Sequence, residues 1–285
     1  MADRPVRVDR PILCGTTSTY PIDFSSDYTL ERALHGIHQA GLTHVEIAAF
    51  KGYCEHIALD RFDEHVAGEV ASMLKRFELT PMTLSVSTDL TGRAGVSDLA
   101  RAADVASALG IPVIITSIQE TADDPETTLP LFYDRVAEID QILSSHDLTL
   151  ALETHRGYIN TGVRGVEVLE HINLPRFKLN YDMANVFNRG GAVPEQDLAA
   201  MGPDAIAKHI GHVHLKDKSN WVMGDRTFPT FGTGILDFGA VLDALSTGGY
   251  TGAMTLEVEL HGVGGLDNLD RSLIASCEYL EQFWK

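Results

Sequence analysis

Cysteine is scarce in this chain, and its three copies, Cys14, Cys54 and Cys277, lie far apart. None forms a C-x-x-C pair, so a thiolate zinc site is not indicated, and an odd, scattered set makes no disulfide framework. Long apolar runs are also missing. None approaches the roughly 20 residues that cross a bilayer. The opening segment, Met1 to Arg10, is charged and lacks the apolar core of a signal peptide, so none is expected. Positive charge is short: 22 Lys and Arg stand against 40 Asp and Glu, a net charge of −18. Nucleic-acid binding neutralises phosphates with clustered cations, and no basic cluster is visible in the sequence. A G-x-G-x-x-G fingerprint is absent after the first apolar run, which removes the main support for a dinucleotide-binding open sheet. These absences predict a protein of a reducing cytoplasm with no membrane and no nucleic-acid partner. The acidic balance suits solubility and a bound cation.

What is present is a rhythm. Short apolar runs at Pro11–Thr16, His44–Ala49, Met82–Val86, Pro112–Thr116, Leu148–Glu153, Phe177–Asp182, Ile210–Asp217 and Ala253–Val258 read as strands. Helical periodicity follows each, over Asp27–Ala40, Asp60–Glu78, Val96–Leu109, Thr128–His146, Val163–Ile172, Glu195–His209, Asp237–Leu245 and Leu266–Phe283. Near-continuous apolar strands alternating with amphipathic helices imply a parallel sheet covered by helices. Eight units in 285 residues, about 36 each, predict a single-domain (β/α)8 TIM barrel over residues 1–285. No linker or low-complexity segment divides the chain.

In such a barrel the chemistry sits where strands run out at their C-terminal ends. The polar residues at those ends are Glu46, Glu153, Asp182, His214 and Glu257. The last four come from the fifth to eighth strands, which are neighbours around the ring, so their side chains can converge. Three carboxylates and one imidazole form a donor set of hard oxygens and a nitrogen. It suits Mn, Mg, Co or Fe better than a structural zinc. Strand alternation leaves two register choices open, because His212 shares a face with His214 and Glu259 with Glu257. His214 and Glu257 are preferred for their positions at the strand ends. Around them, Glu46, His56, Arg156, Asn185, Lys216 and Arg226 are candidate substrate contacts, and His155 is a candidate acid/base beside Glu153. Lys216 and Asp217 are adjacent, and a simple pair between them is the alternative to a substrate contact by Lys216. No Gly-rich phosphate cradle stands out near the last two strands, which favours an unphosphorylated substrate.

Several segments together resemble the xylose isomerase-like barrel superfamily of sugar phosphate isomerases and epimerases. They are Val45-Glu46-Ile47, Leu150-Ala151-Leu152-Glu153, Tyr181-Asp182-Met183-Ala184-Asn185 and His212-Val213-His214-Leu215-Lys216-Asp217. The run Gly232 to Phe238, Gly249 to Gly252 and Leu256-Glu257 complete the set. The resemblance implies one divalent cation on Glu153, Asp182, His214 and Glu257, manganese first, with magnesium, cobalt, iron or zinc as alternatives. It also implies that Glu153 and Glu257 act as acid and base on an enediolate. The DNA-repair branch of the superfamily carries a second His three residues after the Asp. Here that position is Asn185, and the Asp-x-His expected further on reads Asp225-Arg226-Thr227.

The resulting expectation is a metal-dependent isomerase or epimerase of a sugar or polyol ketone. The main alternative is a metal-dependent dehydratase or lyase eliminating from a keto-sugar, an inosose or a 3-dehydroshikimate-like substrate. A non-catalytic sugar-binding protein is the third. A homo-oligomer is compatible with all three.

Overall fold

Apolar runs covered on both faces become parallel strands, and here they close into a ring. The computed structural model describes residues 7–22, 26–119, 125–261 and 263–285. Its strands are β1 (Leu13–Thr16), β2 (His44–Phe50), β3 (Cys54–Glu55), β4 (Thr80–Val86), β5 (Val113–Thr116), β6 (Thr149–Glu153), β7 (Phe177–Asp182), β8 (Ile210–Leu215) and β9 (Met254–Leu256). All but β3 are parallel, and β1 pairs with both β2 and β9, so the eight-stranded barrel is closed. The two-residue β3, which the apolar pattern does not announce, lies antiparallel on the end of β2. In the register, Thr16 pairs with Glu46, Asp182 with His214, and His214 with Thr255. One apolar cluster runs from Val8 to Trp284 and fills the barrel and the helix–strand layer.

The surrounding helices are α1 (Leu30–Gln39), α2 (Glu64–Arg76), α3 (Arg93–Leu109), α4 (Pro125–Tyr133), α5 (Val136–His146), α6 (Gly162–Ile172), α7 (Met183–Gly190), α8 (Pro194–Met201), α9 (Pro203–His209), α10 (Phe238–Thr247) and α11 (Gly265–Leu280). Many starts are set by side chains that accept from otherwise unpaired N–H groups: Thr29, Asp63, Thr161 and Asp237 each do so.

Three helical segments differ from the expected ones. The segment expected over Thr128–His146 is two helices: the chain turns at Asp134–Arg135, where the Arg135 N–H donates to the Phe132 carbonyl, and α5 starts at Val136. The segment expected over Glu195–His209 also divides. Gly202 takes φ +79°, which is not helical, and Pro203 then restarts the chain as α9. Finally, α7 begins directly after β7, where a loop is the natural expectation. The acidic connection before α4 falls on residues 120–124, outside the described ones.

Candidate metal centre

Four side chains predicted to converge do so. Glu153, Asp182, His214 and Glu257 each bring one donor atom within 4.8 Å of the others. Nδ1 of His214 lies 3.4 Å from Glu153 Oε1 and 3.2 Å from Glu257 Oε2. They come from β6, β7, β8 and the end of β9, so a four-strand arc of the barrel supplies them.

Local structure explains how Asp182 serves two purposes. Its Oδ1 caps α7, accepting from the N–H groups of Ala184 and Asn185 at 2.8 Å each. Its Oδ2 is fully buried and has no hydrogen-bond partner. His214 Nδ1 and Glu257 Oε2 are also buried and lack a well-directed hydrogen bond, although they face each other as an ion pair at 3.2 Å. Leaving a buried polar atom unsatisfied costs about 1–3 kcal/mol. Three such atoms facing one point fit a cation there, and the oxygen-rich donor set fits a divalent one.

The electrostatics agree. Burial pushes Asp182 up to about 8, and although Lys216 opposes this, the Glu257 and Glu153 carboxylates add to it. Burial works against a charged His214, yet Glu46, Glu257 and Glu153 outweigh it and hold that imidazole well above its usual range. Burial also raises Glu257, but Lys216 and His214 prevail and keep it ionised. The cluster concentrates negative charge that a cation would balance.

Behind His214 stands Glu46, 1% exposed. Its Oε2 accepts from His214 Nε2 at 3.0 Å and from the Thr83 hydroxyl at 2.9 Å. Burial alone would raise Glu46, but His214 and His212 bring it below the usual carboxylate range. An ionised Glu46 can only accept, so Nε2 of His214 donates to it and Nδ1 is the nitrogen that faces the cluster, where a bound cation would replace its proton. This carboxylate–imidazole arrangement orients a metal-ligating His. Glu46, expected as a substrate contact, borders the cavity over the cluster and gives its Oε2 to His214 and Thr83.

A second group, Glu46, His212 and His214, is equally close. Its atoms are already engaged: His212 Nε2 shares a hydrogen bond with Thr255 Oγ1 at 2.8 Å, and Glu46 serves His214. Burial lowers His212 to about 3, so it is a neutral, hydrogen-bonded core residue.

A cavity of about 340 Å³ opens over the cluster, a size for a small molecule. His155, Arg156, Asn185, Lys216 and Arg226 line it together with Glu153 and Glu257. Asn185 donates to Glu153 Oε1 at 3.4 Å. Lys216, only 3% exposed, does not pair with Asp217. It reaches Glu257 at 3.1 Å, contacts Glu259 and lies 4.4 Å over the Phe228 ring. Burial opposes its charge, but Glu257, Glu259 and Asp182 hold it firmly protonated. Asp217 turns the other way and gathers the N–H groups of Lys218, Gly232, Gly234 and Leu236, ordering the loop beyond β8. A Cβ at Gly234 would sit 2.2 Å from that carboxylate, which accounts for the glycine.

His56 is not among the residues lining the cavity. Its Nε2 donates to the Tyr28 carbonyl at 3.0 Å and its Nδ1 faces Cys54 Sγ at 3.4 Å. Both nitrogens are engaged, which explains why it points away from the cluster. The sequence reading missed Arg189, which lines the cavity from the last turn of α7. The signal was there: Asp182 is a good N-cap, and Gly191 closes the eight-residue helix nine positions later with φ +71°.

The family model of the xylose isomerase-like TIM barrel matches residues 34–283, and the chain belongs to that family. Solved structures share the fold at low identity. D-allulose 3-epimerase from Methylomonas sp., in complex with D-allulose, is 19% identical, covers 98% of this chain and 99% of its own, and has a TM-score of 0.73. The IOLI protein with a bound zinc atom is 17% identical over 95% of this chain and 97% of its own, at 0.76. The probable 3-DHS dehydratase AsbF from Bacillus anthracis is 17% identical over 95% and 99%, at 0.72. No curated protein matches by sequence. Among the described residues no helix is long and apolar enough to cross a membrane.

Proposed function

We propose that the chain is a divalent-metal-dependent isomerase or epimerase acting on a sugar or polyol ketone through an enediolate. Glu153, Asp182, His214 and Glu257 would hold the ion, with manganese the first choice. When bound, such an ion polarises the substrate carbonyl and stabilises the charge that develops on its oxygen. The carrying observation is the placement of Glu153 and Glu257. They come from the two ends of the four-strand arc, face the same cavity, and are each 16% exposed.

The chain's own groups then divide the work. Glu257, kept ionised by Lys216 and His214, accepts the proton from the carbon beside the carbonyl. Glu153, steadied by Asn185, returns a proton from the other side. Return to the opposite face inverts that carbon, and return to the neighbouring carbon exchanges ketone for aldehyde. Positioned acid–base catalysis of this kind contributes roughly 10²–10⁴-fold in rate. A cytoplasmic location is part of the same reading.

A second reading has one observation behind it. His155 lines the cavity beside Glu153 and can protonate a departing hydroxyl, which would make the reaction an elimination. The fold shared with a probable 3-DHS dehydratase is compatible with that outcome.

The test is incubation of the manganese-loaded protein with a panel of ketoses and keto-acids in D2O. Deuterium entering the carbon next to the carbonyl, read by NMR, supports isomerisation or epimerisation. A new ultraviolet absorption from a conjugated carbonyl indicates elimination instead. A metal-loaded protein that produces neither change across the panel overturns the enzymatic reading.

A further inference from the structure

The chain carries 22 basic residues against 40 acidic ones, yet three arginines are gathered in one small cavity. Arg156 follows β6, Arg189 ends α7, and Arg226 lies in the loop beyond β8. Resting on the reading of this cavity as the substrate site, we propose that the substrate carries an anionic group, a carboxylate or a phosphate, seated on Arg156, Arg189 and Arg226.

The cavity's cations differ in what they already hold. Lys216 is committed to Glu257 and Glu259. Among the described residues Arg226 pairs only with Glu259, at 3.4 Å, and it is half exposed. Arg156 and Arg189 have no carboxylate of the described residues within 4 Å, and the Nε of each is buried with no hydrogen-bond partner. A guanidinium has five donors in a rigid plane and cannot shed its charge, so an unpaired and partly buried one is costly.

The three also repel each other. Burial first, then Arg156 and Arg226, draw the Arg189 pKa down, with Glu259 and Asp182 only partly compensating. A helix C-terminus favours a cation, which explains a basic residue at Arg189 in part. It does not explain Arg156 or Arg226, which sit on loops. A neutral polyol needs only single hydrogen bonds, which Asn185 and the glutamates can provide. Forked donors gathered against their own repulsion match a planar or tetrahedral oxyanion.

The experiment is calorimetric titration of the manganese-loaded full-length protein with three probes of matched length: sorbitol, gluconate and sorbitol 6-phosphate. At least one anionic probe is expected to bind tenfold or more tightly than sorbitol, and the better anion identifies carboxylate or phosphate. In Arg156→Gln and Arg189→Gln that preference should fall to twofold or less, while sorbitol affinity stays within threefold of the wild type. Equal binding of the three probes overturns the proposal, and so does a preference that survives both substitutions. Sorbitol bound with no gain for either anion rejects the anion seat alone. No binding of any probe rejects the substrate-site reading together with it. Should a variant fail to fold, the thermal shift of the wild type with the same three probes supplies the comparison.

Discussion

Glu46 and His214, 168 residues apart in sequence, share a hydrogen bond of 3.0 Å inside the barrel. The bond fixes which imidazole nitrogen is spent on Glu46 and which faces the carboxylate cluster. Outer partners of this kind are typically worth about 10–100-fold in metal affinity. Glu46→Gln should therefore weaken manganese binding by about that factor, because an amide orients the ring without balancing its charge. Titration of the apoprotein with manganese measures it. Unchanged affinity would mean that the ring is oriented by packing alone.

Asp182 allows its two roles to be separated. Asn is as good an N-cap as Asp, so Asp182→Asn keeps the start of α7 while removing the charge of the unpaired oxygen. The variant should hold its melting temperature and lose stoichiometric metal. Asp182→Ala should lose both, with a further cost of about 0.5–2 kcal/mol from the missing cap. Chemical denaturation beside elemental analysis gives the two readouts. Equal metal content in wild type and Asp182→Asn would remove Asp182 from the ligand set.

Glu257 and Glu259 both touch Lys216, yet only Glu257 also reaches His214. Glu257→Gln should abolish deuterium exchange and lower metal content, while Glu259→Gln should retain the metal. In the same way His214→Ala should lose metal and His212→Ala should mainly lose stability, through a broken bond to Thr255 in the core. Reversed effects within either pair would move the site to the other register.

His56 supplies a prediction on pH. Burial lowers its pKa from 6.5 to about 4, despite the opposing bond to the Tyr28 carbonyl. The folded state thus binds its proton less readily than the unfolded chain does. Its contribution to stability is complete above pH 6.5, declines as pH falls towards 4, and then levels off. Denaturation curves of wild type and His56→Gln should change their separation across that window, the wild type losing more on acidification. Parallel curves from pH 7 to 4 would show that His56 is not a buried neutral group.

Much of this was legible in the chain itself. A strand ending on a charged residue leaves a local trace, and the four strands ending on Glu153, Asp182, His214 and Glu257 are neighbours in any barrel of this order. Other features left no such trace. Lys216 and Asp217 look like a pair because they are adjacent, yet alternation sends them to opposite sides, one to the cluster and one to the loop at Gly232 and Gly234. His56 looks like a site residue because it follows a strand, but Cys54 and Tyr28 engage its ring. The α7 helix hid because an Asp at a strand end was read for its charge and not also as a cap.

The sequence by itself determined the eightfold alternation of strand and helical segments, the fold class, and the residues at the strand ends, because these follow from apolar periodicity and capping within a few residues. Only the tertiary structure decided that Glu46 holds His214, that Asp182, His214 and Glu257 converge on one point, and that Arg156, Arg189 and Arg226 share a cavity. Those relationships join residues tens to hundreds of positions apart. They are set by barrel closure and strand stagger, which no local pattern encodes.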